Sequence, residues 1–300
     1  MDMDILIMQM FSGLSLFTVL LLMALGLAII FGLMGVINMA HGEFMALGAY
    51  TTYLTALVVE RYAPGAMSLY LFAAGLFAFG VAFAVGYGVE WALIRHLYHR
   101  PLDTLLATWG LSLVMQQTFR SVFGAQEVGV PMPDWLLGSW KVTETIDIPL
   151  NGLFVMGLSV VTTGMVFVLL FRSRWGLRVR AVTQNRVMSG AVGINTKKVD
   201  RLTFAVGCGI AGLGGAAFTT IGSTGPSSGQ LYIVDTFLVV VFGGVQSLLG
   251  TVASAFTIAE SQSTLEFFLS GSMAKVITLL SIVGILLIRP QGLFAAKVRR

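Results

Sequence analysis

Residues 5–40 read ILIMQMFSGLSLFTVLLLMALGLAIIFGLMGVINMA and contain no charged side chain. A helix of roughly 20 apolar residues crosses a bilayer core of about 30 Å, so this run is long enough to span a membrane. Over the whole chain of 300 residues, 56% are hydrophobic and only 11% are charged. Soluble domains average about 25% charged residues, so most of this protein's surface does not face water.

Further apolar segments are separated by charged residues, proline or glycine. With residues 11–34 they cover 44–59, 68–94, 104–123, 150–171, 202–221, 231–268 and 273–288. They predict an all-α, polytopic integral membrane protein with about eight transmembrane helices in one domain over residues 1–300. Segment 231–268 is too long for one span and is interrupted at Gly243 and Gly244.

Small residues at a spacing of four let membrane helices approach closely. Two faces follow this pattern: Gly80, Ala84 and Gly88 on one helix, and Gly207, Ala211 and Gly215 on another. We expect both faces to pack against neighbouring helices.

The placement of charge predicts an orientation. Of the 18 Lys and Arg residues, eight lie within 172–201 and four within 289–300. Basic clusters beside apolar spans face the cytoplasm, so both segments and the loop 95–103 are predicted inside. The loop 124–149 has four acidic residues against one lysine and is predicted outside. An outside N-terminus and an inside C-terminus need an odd number of crossings, so one glycine-interrupted segment either re-enters or crosses once more.

Polar residues interrupt the first apolar stretches at Asn38, His41 and Glu43, between Gly35 and Gly42. A carboxylate within a span is costly, and it usually faces the bundle interior or an aqueous path. Glycine-interrupted segments often mark the substrate site of a transporter. These residues are therefore predicted to lie on a solute path. The alternative is a short cytoplasmic turn.

A second polar group follows in the more polar segment 104–123. It comprises Thr108, Trp109, Ser112, Gln116 and Gln117, of which Trp109, Ser112 and Gln116 are spaced to share one helical face. Amides and hydroxyls there could line a path for a small polar solute, or they could bond neighbouring helices.

Several patterns argue against an enzyme. Residues 225–229, GPSSG, match G-x-S-x-G but lie in a short loop between apolar spans, without the strand–turn–helix context of a nucleophile elbow. His96 and His99 alone are weak evidence for a metal site. No Gly-Lys pair occurs, so the chain has no P-loop of its own. We expect no catalysis, no cofactor, no metal and no nucleic-acid partner.

Four stretches resemble the membrane subunits of branched-chain amino acid ABC importers and of their relatives, the urea importers. They are GLMGVINMAHGEFMALGAY (32–50), RSRWGLRVRAVTQNRVMSGAVGIN (172–195), FLVVVFGGVQSLLGT (237–251) and IRPQGLF (288–294). Gln246 departs from the pattern, which has a small residue there, and Ser189–Gly190 replaces alanines.

The resemblance implies several partners in a bacterial inner membrane. These are a second homologous permease, two cytoplasmic ATPases that use ATP, and an external solute-binding protein. It also implies that residues 172–201 dock the ATPase, through Gln184, Asn185, Arg186, Gly190, Gly193 and Asn195.

Three further stretches are similar to the urea-type permeases: 100–117, 123–128 and 232–244. Urea is therefore the expected solute, and a branched-chain amino acid is the alternative. Urea is neutral and needs only hydrogen-bonding groups, whereas an amino acid also needs partners for its ammonium and carboxylate. A stand-alone channel or secondary transporter would leave the docking-like segment unexplained.

Overall fold

The computed structural model describes residues 3–98, 100–143 and 146–294. His99, Glu144 and the basic residues after 294 lie outside that part of the chain. The described chain is mostly helical, with connecting loops and one short β-hairpin, which confirms the predicted all-α class. Its elements are α1 Met3–Leu27, α2 His41–Tyr62, α3 Tyr70–Ala92, α4 Pro101–Phe123, β1 Ser139–Thr143, β2 Ile146–Pro149, α5 Leu150–Arg172, α6 Arg174–Gln184, α7 Arg186–Ala191, α8 Thr196–Phe218, α9 Ser228–Gly243, α10 Leu248–Phe268 and α11 Gly271–Ile288.

Loops gather at two ends of the molecule. One, called the hairpin end, contains β1, β2 and the loops 63–69 and 219–227. There the Trp135 indole N–H donates to the Ser68 carbonyl at 2.6 Å, and Val128 pairs with Thr224 as an isolated antiparallel bridge. Because Val128 and Trp135 both belong to the segment between α4 and β1, these contacts place that segment against the loops 63–69 and 219–227.

The opposite end, called the basic end, contains the loops 93–100 and 244–247 together with α6 and α7. Arg201 donates to the Glu90 carboxylate there at 2.9 Å, and the Thr183 hydroxyl donates to the Leu33 carbonyl at 2.8 Å. Basic residues beside membrane spans favour the cytoplasmic side, so the basic end is predicted to lie inside the cell.

Nine of the described helices, α1 to α5 and α8 to α11, alternate in direction between these ends, and two of them, α2 and α9, begin inside the bundle. The predicted number of about eight agrees with this arrangement, in which segment 231–268 forms two helices. Gly244, with a φ of +96°, separates α9 from α10. Nine alternating helices are an odd number, as an outside N-terminus and an inside C-terminus require, so the predicted orientation stays a prediction without a conflict of parity.

Five described helices are long and apolar enough to cross a membrane: Ile7–Leu33, Tyr70–His96, Leu150–Arg172, Thr196–Phe218 and Gly271–Ile288. The first and fourth are largely enclosed by the others. The remaining three expose large apolar side chains such as Leu76, Val160 and Leu280. Such a surface suits contact with lipid rather than water.

The helix α8 lies at the centre, packed against α1, α2 and α3. The predicted packing face on α8 is confirmed. A Cβ added at Gly207 would lie 2.7 Å from the Gly26 carbonyl oxygen, and one added at Gly215 would lie 1.9 Å from the Met45 carbonyl oxygen. Larger side chains at these positions would force the helices apart.

The predicted face on α3 is wrong. Gly80 and Gly88 are exposed, and an added Cβ at either would meet no atom within 4 Å. The helix instead packs through Ala78, Ala82 and Gly86, two residues away along the same helix. Because α3 carries small residues on more than one face, their spacing alone does not say which face meets a neighbour.

The orientation is tested with single cysteines at Asp134 and Gln184, both exposed, in a Cys208→Ala background. We expect an impermeant thiol reagent to label Asp134→Cys on intact cells and to label Gln184→Cys only after permeabilisation. The physical reason is the basic charge on the Gln184 side. Stronger labelling of Gln184→Cys on intact cells would reverse the assigned orientation.

Candidate functional site

The backbone between α1 and α2 is partly non-helical. A π-helix, Ala28–Leu33, continues directly from the end of α1, and Gly35 follows with a φ of +69°. The Asn38 side-chain oxygen then accepts from the Ala40 N–H at 3.1 Å, a local turn that leads into α2. We call residues 34–40 the break. The sequence prediction of a helix interruption here is confirmed.

The helix α4 supplies a partner for the break. The Met39 N–H donates to the Thr108 hydroxyl oxygen at 3.1 Å, and that hydroxyl donates to the Thr104 carbonyl at 2.9 Å. Both threonine side chains are buried. A buried backbone N–H costs free energy unless it is paired, so Thr108 helps to stabilise the non-helical segment.

The carboxylate of Glu43 lies in the first turn of α2 and is 1% exposed. Its Oε1 atom accepts from the Ser112 hydroxyl at 3.0 Å and from the Gln116 amide at 2.8 Å. Its Oε2 atom is buried and has no partner among the described residues. An acidic side chain is favoured at a helix N-terminus. The result is a buried acceptor with one oxygen still available.

The imidazole of His41 is fully buried and joins α2 to α1. Its Nε2 atom lies 3.0 Å from the Met23 carbonyl oxygen, which can only accept, so Nε2 carries the proton. The Nδ1 atom is then an acceptor, and it has no partner in the described chain. The Asn38 Nδ2 atom is likewise buried without one.

The N-terminal turns of α2 and α9 meet at two glycines. A Cβ added at Gly42 would lie 2.1 Å from the Gly229 carbonyl oxygen, and one at Gly229 would lie 2.2 Å from the Gly42 oxygen. Sequence reasoning missed this contact. The available signal was a glycine in the first turn of each interrupted segment.

Two of the predicted path residues lie elsewhere. Trp109 is 50% exposed and Gln117 is also exposed, so neither joins the cluster around Glu43. The buried face of α4 runs through Thr108, Ser112 and Phe119. On α4 the spacing does place Trp109 beside Gln116, but at the exposed edge of the buried face, so its indole does not join the contacts around Glu43.

The predicted docking segment contains α6 and α7, and two of its asparagines cap helices. The Asn185 side-chain oxygen accepts from the Met188 N–H at 2.9 Å, and that of Asn195 accepts from the Lys198 N–H at 3.0 Å. Such caps stabilise a helix start by about 1 kcal/mol. Gly193, with a φ of +86°, makes the turn between the helices.

Arg186, one of the predicted docking residues, also makes contacts within the chain. Its guanidinium binds the buried Asp200 carboxylate and lies over the Tyr98 ring, 5.1 Å from the ring centre. By contrast Gln184 and Gly190 are exposed, and so are the apolar side chains of Val187 and Met188. The exposed surface of α7 is thus largely apolar.

Comparison with known proteins supplies an independent finding. The family described as branched-chain amino acid transport system / permease component matches residues 9–286. The chain is 26% identical to the high-affinity branched-chain amino acid transport system permease protein LivH of Salmonella typhimurium and to that of Escherichia coli. It is 24% identical to BraD of Pseudomonas aeruginosa, which has the same description. Each match covers 95% of this chain and 94% of the relative. No solved structure matches.

The bonds around Glu43 can be tested by stability. Glu43→Leu removes the acceptor for Ser112 and Gln116, and each unpaired buried donor costs about 1–3 kcal/mol. Glu43→Gln keeps a carbonyl oxygen and should cost less. We expect thermal unfolding of the purified protein in detergent to give Glu43→Leu the lowest Tm, Glu43→Gln an intermediate one, and the exposed control Glu60→Leu no change. Equal Tm values for Glu43→Leu and Glu60→Leu would contradict these bonds.

Proposed function

Because the chain belongs to the family of branched-chain amino acid transport system permease components, we propose that it is the membrane-spanning permease subunit of an ABC importer for branched-chain amino acids. The observation that carries the proposal is the extent of the match, residues 9–286, which takes in all nine alternating helices. The relatives named above are described as permeases of high-affinity branched-chain amino acid transport systems.

Family membership also establishes the general class of the protein. Its relatives are transport permeases rather than enzymes, and they include several from bacteria. With its apolar helices, the chain is a multi-pass protein of the bacterial inner membrane.

The expectation of urea as the solute finds no support in these comparisons, because the matching relatives are named for branched-chain amino acids. The alternative stated from the sequence fits better. Urea stays a second candidate on one observation, the similarity of residues 100–117 to the urea-type permeases. That stretch includes Ser112 and Gln116, whose neutral side chains contact Glu43.

For the solute path we propose the break and its neighbours: Asn38, His41, Glu43, Ser112 and Gln116. Support comes from the buried Asn38 Nδ2, His41 Nδ1 and Glu43 Oε2 atoms, which have no partner in the described chain. Polar atoms of this kind, next to an interrupted helix inside a membrane bundle, can bind a passing solute. Trp109 and Gln117, being exposed away from this cluster, are not part of the proposed path.

Membership of this permease family also supports a proposal for the partner proteins. They are a second homologous permease, two cytoplasmic ATPases and an external solute-binding protein. ATP would act on the ATPases alone. The proposed docking surface is the exposed face of α7, formed by Val187, Met188 and Gly190 with neighbouring Gln184. Arg186, Asn185 and Asn195 hold this surface in place through the contacts described above.

The solute is tested by uptake of labelled leucine and labelled urea in cells with and without the gene, with all partner subunits present. We expect gene-dependent, ATP-dependent uptake of leucine. Gene-dependent uptake of urea without leucine would replace the first candidate with the second. Absence of both would contradict an importer for either solute.

The docking surface is tested at Gly190, where an added side chain meets open space within the subunit. Gly190→Trp should leave membrane insertion unchanged but reduce copurification of the ATPase and uptake by at least about tenfold, because the indole would occupy the contact. Gly65→Trp is the matched control, since it also meets open space but lies at the hairpin end. Normal ATPase copurification with Gly190→Trp would place the docking surface elsewhere.

A further inference from the structure

A cavity of about 440 Å³ opens in the half of the bundle nearer the hairpin end, between α1, α9, α10 and α11. One wall is apolar and includes Leu16, Val19 and Phe218, while another includes the charged side chains of Asp235, Lys275 and Glu266, the last of which accepts from the Gln262 amide. This cavity is separate from the cluster around Glu43, and the sequence patterns discussed above did not point to it.

Asp235 and Lys275 form an ion pair within the bundle. The Lys275 Nζ atom lies 2.7 Å from Asp235 Oδ2 and also donates to the Leu231 carbonyl at 3.2 Å. The Asp235 side chain is only 11% exposed, whereas that of Lys275 is 42% exposed. Charged residues within membrane spans are costly, and they commonly mark a substrate or ion pathway.

We propose that this cavity is a solute-binding site on the hairpin side of the permease. Asp235 would accept hydrogen bonds from the nitrogen of the solute, and Lys275 would donate to its oxygen. The ligand is thus a small molecule with nitrogen donors and an oxygen acceptor close together. An α-amino acid and urea share this chemistry. The inference rests on the proposed function, since it assumes that the chain is an importer permease for one of them.

The arrangement allows a solute to enter the ion pair. The Lys275 side chain is 42% exposed and lies on a flexible stem, so its ammonium can adopt other positions beside the cavity. Each charge then exchanges its present partner for a polar group of the solute, and neither is left unpaired. An α-amino acid fits both groups through its ammonium and carboxylate.

The apolar wall distinguishes the two ligands. Leu16, Val19 and Phe218 offer contact to a branched aliphatic side chain, which urea lacks. Burial of such a side chain is favourable because it removes apolar surface from water. The cavity therefore favours the branched-chain amino acid over urea.

The experiment compares Asp235→Asn, Lys275→Met and the double variant Asp235→Asn/Lys275→Met with the wild type in cells that contain all partner subunits. Lys141→Met is the matched control, because Lys141 is an exposed cation at the hairpin end outside the cavity. Membrane abundance and ATPase copurification are measured for each variant. Uptake of leucine and of urea is measured over a range of concentrations. A leucine analogue with a photoreactive diazirine side chain is then cross-linked to the purified complex and mapped by mass spectrometry.

The double variant is the decisive one, since it removes Asp235 and Lys275 together and leaves neither of these two charges without the other. At normal abundance we expect it to lose at least about tenfold in uptake, while Lys141→Met remains normal. We also expect the photoreactive analogue to label peptides of α1 and α8, which carry the apolar wall against its side chain, and an excess of leucine to suppress that label. Wild-type uptake by the double variant, or labelling confined to residues that do not line the cavity, would show that the ion pair is only structural.

The substrate assignment can fail separately from this site. If the wild type imports urea but not leucine, and the double variant loses urea uptake, the site stands and the proposed amino acid substrate is wrong. If the double variant keeps full uptake of whichever solute the wild type imports, the importer stands and the site is wrong.

Discussion

Direct contact between glycine backbones holds the centre of this bundle together. A Cβ at Gly48 would lie 2.0 Å from the Gly212 carbonyl oxygen, and one at Gly42 would lie 2.1 Å from that of Gly229. In each case the obstacle is backbone, which cannot move aside as a flexible side chain can. Without side chains at these points, α2 approaches both α8 and α9 closely. It can therefore begin inside the bundle, next to the start of α9.

Because α2 begins inside the bundle, the break before it is enclosed and its polar groups depend on neighbouring helices. Thr108 accepts from the Met39 N–H, and the Met23 carbonyl accepts from His41. Glu43 accepts from both Ser112 and Gln116. A membrane interior provides no water for such groups, so non-helical backbone is tolerated only where protein or a cavity satisfies it. The same enclosure concentrates polar atoms in an otherwise apolar bundle, which suits a path for a polar solute.

Ion pairs at the basic end orient the segment proposed to meet the ATPase. Asp200 binds Arg186 at the start of α7, and Glu90 binds Arg201 on α8 as well as the Tyr98 hydroxyl, at 2.9 Å and 2.7 Å. These carboxylates are buried, so removal of one partner would leave a charge unpaired. The contacts fix α7 relative to α3 and α8. A force applied to α7 by a partner would thus reach helices that pack against α2.

The sequence by itself determined the membrane class, the opposite charge of the loops 124–149 and 172–201, the interruption before Glu43 and the presence of polar residues in the segment 104–123. These follow from composition and local pattern, which need no knowledge of neighbours. Only the tertiary structure decided that α3 packs through Ala78 and Gly86 rather than Gly80, that Trp109 lies outside the polar cluster, and that Asp235 meets Lys275 across a cavity. The spacing of residues along a helix shows which of them share a face. It does not show which face is buried, because that depends on the surrounding helices.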